Sequence, residues 1–386
     1  MARTRSSRSL GNAGMELSTH SSIRDLGEAA YRRLLPADAP PFVLFAWLDA
    51  LEQAGCVVPE RGWMPVHVAF RDNGELVAAA PAYVKGNSEG EFVFDHAWAR
   101  FAYGKLGVEY YPKLLFAVPF TPATGPRLFV APGADVERVV SAFATGVRAL
   151  CGELGLSSAH VLFPNADLAD GLEERGFVRR AGVQYHWTNA GYATFDDFLG
   201  GFGAKRRHQI RRERRELERG GTRIEHLTGA DLSEEVLDHM YDFYCSTVHK
   251  YFWGRQYLNR RFFEAVFSRM PERLHVVLAR DTATGEPVGG ALNLVGQNAL
   301  YGRYWGAREE RPFLHFGVCY YEGIDACIRR GLSSFEPGAG GEHKRARGFS
   351  PAVTHSVHHL HDRRLDATIR DYCEREREAI EEYVRS

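Results

Sequence analysis

Three stretches in the first half of the chain recur, in the same order, in the second half. A chain that repeats itself folds as copies of one unit, so the repeat bounds the architecture more tightly than any motif. Residues 66–84 read VHVAFRDNGELVAAAPAYV, and residues 275–295 read HVVLARDTATGEPVGGALNLV. Each is an apolar run, an Arg-Asp pair, a polar turn with glycine, and a second apolar run. That pattern predicts a β-hairpin twice, with Asn73-Gly74 as the sharper turn signal. The second match is closer: CGELGLSS at 151–158 against CIRRGLSS at 327–334, a shared C-x-x-x-G-L-S-S. An amphipathic stretch precedes each copy, at 136–153 and at 317–330, so each glycine is expected to close a helix and a strand to follow. Finally Arg175-Gly-Phe177 matches Arg347-Gly-Phe349, each ahead of a strand-like run, at 183–187 and 354–360.

The expected fold is therefore α/β, two similar units of mixed sheet flanked by helices. The first unit spans 25–192 and carries an aromatic, Gly- and Pro-rich insertion near 85–127. The second spans 193–386, opening with a basic linker helix and closing with a charged helix at 363–384. Residues 1–24, rich in Arg and Ser, read as a disordered tail, with Met15 as an alternative start.

Composition excludes several classes. Lys plus Arg total 48 against 49 for Asp plus Glu, so the chain is neither a globally basic nucleic-acid coat nor an acidic disordered one. No run approaches the ~20 apolar residues of a membrane helix, and the N-terminus lacks the apolar core of a secretory signal. The six cysteines form no C-x-x-C pair, which suits free thiols in a reducing cytoplasm.

YYPKLLFAVPFTPATGPRL (110–128), LYGRYWGAREERPFLHFGVCYYEGIDACI (300–328) and GAGGEHKRARGF (338–349) carry a family likeness. The element order resembles the GNAT acyltransferase fold. Its duplication resembles the Fem family of peptidoglycan bridge-forming transferases, and the details are most similar to a bacterial Fem-like group tied to peptidoglycan biosynthesis or recognition. The resemblance covers about residues 25–380. It implies a cytoplasmic N-acyltransferase, at most peripheral at the inner membrane face. Its donor is an acyl-CoA or an aminoacyl-tRNA, its acceptor an amine such as that of a peptidoglycan precursor, and it needs no metal. The alternative is a non-catalytic protein on the same fold that binds a precursor, tRNA or a membrane surface.

Acyl transfer needs a neutral amine, stabilisation of the oxyanion and a proton source for the leaving group. The Gly338–Gly341 run followed by Glu342, His343 and Lys344 supplies close backbone approach, a carboxylate, a group titrating near neutrality and a cation. Lys344 is assigned to the oxyanion or a donor phosphate, and Glu342 or His343 to the amine proton. The likeness to Fem proteins pairs Lys344 with Phe349. The expected strand at 300–305 places Tyr301, Arg303 and Trp305 on one face and Tyr304 on the other. By likeness to GNATs, Tyr304, Tyr320 and Tyr321 are candidates to protonate the leaving group.

The stretch 308–317 stands where a GNAT cradles the CoA pyrophosphate, but it lacks a glycine pair, and Pro312 removes an N–H. Arg303, Arg308 and Arg311 are the candidate phosphate clamp. Asp95, Tyr111 and Lys113, in the insertion, are candidates to line an acceptor groove. The stretch 205–219 holds eight basic against three acidic residues, and its Arg206 and Arg211 are candidates for tRNA, nucleotide-linked precursor or lipid phosphate. His355, His358, His359 and His361 lack the companions of a zinc site.

Overall fold

The computed structural model describes residues 7–10, 14–250 and 255–385. They form two compact units. One is 184–352; the other combines the chain up to 183 with the chain from 353. These are not the sequence halves 25–192 and 193–386. The chain leaves the first unit inside the strand Val178–Thr188 and returns inside Ser350–Leu360. Backbone pairing and burial cause the difference. The stretch 356–360 pairs antiparallel with Ser158–Leu162, and the last helix, Arg363–Arg385, buries Leu365, Ile369 and Cys373 in one cluster with Trp98, Tyr110 and Val178.

The first unit holds two sheets. One is antiparallel, in the order Ser7–Leu10, Met15–His20, His67–Asp72, Glu75–Ala80, Phe129–Val130. Its central hairpin is the expected one, with Asn73 and Gly74 both at positive φ, the conformation that lets a two-residue turn follow strand twist. The other is mixed and includes Ala82–Lys85, Lys113–Phe116 and Ser158–Leu162, the last two parallel. The helix Val136–Leu154 packs Phe143 against Phe70 and Phe116. Its Asp135 side chain caps the first turn by accepting from the Arg138 N–H, and Gly155 closes it in the left-handed region.

One expectation changes here. Of the tail 1–24, residues 1–6 and 11–13 lie outside the described residues, but Met15–His20 is a strand with Met15 and Leu17 in the core. Two alternating apolar residues are too short a signal to read as a strand. The 85–127 insertion carries regular structure of its own. It contributes a helix, His96–Phe101, and the strand Lys113–Phe116.

The second unit is one mixed sheet. Thr222–Leu227, Leu274–Asp281, Pro287–Val295 and Ala299–Ala307 run antiparallel in that order, and Ala299–Ala307 then pairs parallel with Ser334–Glu336. A helical run over 314–330, with a π-turn at Gly317–Tyr321, leads to Gly331, whose left-handed conformation repeats that of Gly155. The shared C-x-x-x-G-L-S-S is thus one capping device used twice.

The helix Glu234–Lys250 crosses this sheet at van der Waals limit over Gly306, where an added Cβ would stand 1.8 Å from the Phe243 carbonyl oxygen. No rotamer relieves a clash with backbone. Gly306→Ala is expected to destabilise the protein by about 3 kcal/mol or more, read as a lowered chemical-denaturation midpoint; an unchanged midpoint would show that the helix can lift.

Candidate active site

The strand Ala299–Ala307 organises the site. Its pairing with Pro287–Val295 slips by one residue: Leu292 faces Tyr304, but Asn293 faces Gly302, which leaves Arg303 as the extra residue of a bulge. The expected alternation of Tyr301, Arg303 and Trp305 on one face therefore breaks at Arg303. On the other edge the parallel pairing reaches only Tyr301↔Glu336. Beyond it lies a cavity of about 70 Å³ lined by Asn293, Arg303, Tyr304, Trp305, His315 and Tyr320 among others. Bulges of this kind re-aim side chains beside active sites.

A larger groove of about 710 Å³ shares Trp305 and His315 with the cavity and also touches Ser246, Lys250, Arg308 and Arg311. Its volume suits a cofactor-sized molecule. Of the three arginines assigned to a phosphate clamp, Arg311 is already committed: its guanidinium donates to Asp281 at 2.7 Å, to Glu309 and to the Gly221 carbonyl. It ties the 308–313 loop to the sheet instead. Arg308 is exposed in the groove wall, near His239 and Asp242. Arg303 lines the small cavity, with its guanidinium 5.6 Å from the Tyr304 ring.

The 338–349 segment is ordered by its own polar contacts. Its Glu342–Arg347 stretch is a 3₁₀ helix. Lys344 is buried, and its Nζ donates to the Gly338 carbonyl at 2.7 Å and to that of Ala339 at 3.4 Å. Burial without a carboxylate partner lowers its pKa to about 8. The ammonium stands behind the cavity wall, where its charge bears on Cys319 and His315, both in the lining. Burial, with His343, Lys344 and Arg347 as near cations, takes His315 down to about 4, so it is neutral near pH 7. His343 is exposed, but its Nε2 lies 3.0 Å from the Tyr320 hydroxyl, a cavity group whose pKa burial raises. Glu342 is exposed. Phe349 is buried against Tyr320 and Phe335. Tyr304 packs between Tyr244 and Phe263, and Tyr321 donates to Glu213 at 2.5 Å.

Glu213 was not singled out by sequence reasoning. This one buried acid of the basic helix Ala204–Arg219 accepts from Gln209, Tyr321 and Arg347. Arg206 spans to Gln209, and Arg211 pairs with Asp196. The helix is thereby locked to the site on one face. Asn293 was missed too, although a lone amide inside the apolar GGALNLV run was its signal.

Asp95 and Lys113 belong to the first unit and are buried in an ion-pair network, with Tyr111 half-buried beside it. Lys113 is fully buried and donates to Asp95 at 2.6 Å, Glu91 at 2.8 Å and Ser88 at 2.9 Å. Tyr110 donates to Asp95, and Tyr111 joins through Ser88. A buried cation needs such partners, so the pair assigned to substrate holds the insertion in place. Burial pushes Glu91 up to about 7, against the pull of Lys113. Burial also works to raise Asp95, but Lys113 holds it well below the carboxylate range.

Because the Glu91 pKa is raised on folding, its contribution to stability is complete below about pH 4.5 and is lost as pH rises through 7. Urea-unfolding free energy is expected to fall over that window and Glu91→Gln to flatten the fall; an equal slope in the variant would refute this. Lys113→Met, which strands two buried carboxylates, is expected to cost about 3–5 kcal/mol.

His358 is buried and bonded to His160 and Ser356, while His355 meets Arg179. Among the described residues, no three His, Cys, Asp or Glu side chains are grouped to hold a metal ion.

The family model described as peptidoglycan biosynthesis/recognition, FemAB-like, matches residues 22–386. Among solved structures, FemX is similar at 12% identity over 91% of this chain and 99% of its own, with a TM-score of 0.52. A tandem GNAT protein from the clavulanic acid biosynthesis pathway is similar at 12% identity over 90% and 98%, with a TM-score of 0.47. L-PGS from Bacillus licheniformis gives 9% over 81% and 89%, with a TM-score of 0.47. The search of curated proteins found no match. At such identities structural likeness speaks for the fold alone, here a duplicated GNAT-like arrangement of mixed sheets flanked by helices. With a family match over nearly its whole length, the chain belongs to the FemAB-like family.

Proposed function

We propose that this protein is an N-acyltransferase that moves an acyl or aminoacyl group onto an amine, with a peptidoglycan precursor as the family-based acceptor. The observation that carries the reading is the cavity at the Arg303 bulge, which has Tyr320 in its wall and a cofactor-sized groove adjoining it. An acyl group in the cavity would meet Tyr320, and the rest of its donor would lie along the groove past Lys250 and Arg308. Tyr320 is the proton source for the leaving group, and His343, 3.0 Å away and exposed, exchanges that proton with solvent. Tyr304 and Tyr321 are less suited, the first enclosed by aromatic rings and the second committed to Glu213.

Lys344 acts from behind the wall. It fixes the glycine loop through two carbonyls and lends positive potential to the place where an oxyanion would form. Both donor classes remain compatible with this arrangement. Pro312 and the pairing of Arg311 weaken a pyrophosphate cradle of the usual kind, while the groove wall carries Arg308 beside a Lys250–Glu310 ion pair.

The test is product mass spectrometry with a panel of acyl-CoAs and aminoacyl-tRNAs, using a nucleotide-linked muropeptide and simple primary amines as acceptors. Transfer from one class is expected. Tyr320→Phe should lower kcat by about 10²–10³-fold with little change in KM, and turnover equal to wild type would remove Tyr320 from the mechanism. Since the Lys344 charge is lost as pH rises through about 8, Lys344→Arg should keep its rate above that pH better than wild type does. No transfer from any donor, with muropeptide binding retained, would favour a binding protein on this fold.

A further inference from the structure

We propose that Asn293 selects for an amino group in the small cavity, its amide carbonyl turned toward the occupant by a hydrogen-bond chain that begins at Glu322. The inference rests on the acyl-transfer reading and deepens it, because it names what that cavity recognises.

The cavity floor at the bulge is built from Ala291, Gly302 and Asn293, so one polar side chain stands among small ones. Asn293 is 1% exposed. Its Nδ2 lies 3.4 Å from both the Nδ1 and the main-chain oxygen of His275, its cross-strand partner. Its Oδ1 has no hydrogen-bond partner among the described residues. A buried amide oxygen left without a donor is unfavourable, and an occupant's N–H relieves that cost.

Which end of the amide faces the cavity depends on the next three groups. Glu322 lies on the helical run behind the sheet; its carboxylate is largely buried and accepts from Arg214 at 3.1 Å. Burial would raise its pKa, but His226 and Arg214 lower it on balance, so it is ionised and can only accept. His226 Nε2, 3.1 Å away, must then carry a proton. When His226 is neutral its Nδ1 is left as an acceptor, and His275 Nε2 donates to it across 3.0 Å. The two rings lie within 13° of one plane with centroids 5.2 Å apart, the geometry of an in-plane N–H···N bond. Burial, reinforced by His226, Arg330 and Arg329, lowers His275 to about 3, so it is neutral and has one N–H to give. Its Nδ1 must therefore accept from the Asn293 Nδ2, which leaves Oδ1 for the cavity. Arg329 also approaches His226 Nε2, at 3.0 Å, but its side chain is 54% exposed and pairs with Asp325.

The chain is directional, and reversing it would flip the amide and present N–H groups to the cavity instead. With the carbonyl forward, the cavity favours a donor such as a primary amine over a carboxylate or a plain acyl group. The amino group can belong to the acceptor or to an aminoacyl donor, and the experiment separates the two.

Nitrogen-15 NMR of the histidine-labelled full chain reads the direction without any activity. His275 is expected as the Nε2–H tautomer, Arg329→Ala should leave it so, and Glu322→Leu should convert it to Nδ1–H. Kinetics then read the consequence. Asn293→Leu should raise the acceptor KM about tenfold while kcat stays within about threefold, as expected for one lost hydrogen bond. Asn293→Asp, which keeps an acceptor atom there, should bind the amine at least as well as wild type. A rise in the KM for alanyl-tRNA with the acceptor KM unmoved assigns the recognised amino group to the donor. If wild type transfers nothing, the acyl-transfer reading fails on its own. Ethylammonium chloride then serves as the probe, and a shift of the Asn293 side-chain amide signals on titration supports the proposal. An Nδ1–H tautomer in wild type, unchanged KM values in Asn293→Leu, or no ethylammonium shift would overturn it.

Discussion

The strand Ala299–Ala307 is held so tightly on both sides that it has little freedom left, and the site follows from that. Near its end, Gly306 lies against the Phe243 carbonyl; at its middle, Gly302 lies against the backbone of Pro337. A Cβ at 306 would overlap backbone and one at 302 would be tight against it, so the glycines set how near a helix and the neighbouring chain come. Between the two, the strand must still pair with Pro287–Val295, and it accommodates one extra residue at Arg303. The bulge and the short parallel pairing with Ser334–Glu336 open the cavity floored by Ala291, Gly302 and Asn293. A strand with a larger side chain at 306 would have to lie elsewhere.

Around this opening the second unit secures its buried charges in a consistent way. Glu213 binds the basic helix to Arg347 and Tyr321, and Arg347 also lies with its guanidinium 3.3 Å from the centroid of the Phe316 ring. Glu322 binds the same helix through Arg214. Both acids face inward while the surplus of basic residues faces out, so the helix can be strongly cationic and still be an integral wall of the site. Sequence reasoning saw the cationic face and not the two acid contacts that fix it.

What could be read from the chain was local. The hairpins at 66–84 and 275–295, the helix before Gly155 and the strand after it rest on neighbouring residues, and periodicity and capping report those directly. The bulge at Arg303 could not be read, because it depends on how two strands pair rather than on either alone. The commitment of Arg311 to Asp281 and of Lys113 to Asp95 was hidden for the same reason: free and occupied charges look identical in sequence until the partner is brought near. The crossing of the chain between the compact units within 178–188 and 350–360 was hidden as well, since the repeat predicts similar halves and not where the chain crosses.

The duplication also supplies a comparison inside one molecule. Each unit holds a pair of histidines in contact across adjacent strands: the buried His160 and His358 in the first, the half-buried His226 with the buried His275 in the second. In the first unit both outer nitrogens end on serine hydroxyls, Ser158 and Ser356. A hydroxyl donates or accepts equally well, so that chain has no preferred direction. In the second unit one end is an ionised carboxylate, which can only accept, and the other is an amide at a cavity. Only there does a fixed charge dictate which face of the last group is presented. A contacting histidine pair thus serves cohesion in one unit, while in the other its asymmetric ends couple a largely buried carboxylate to the polarity of the candidate site.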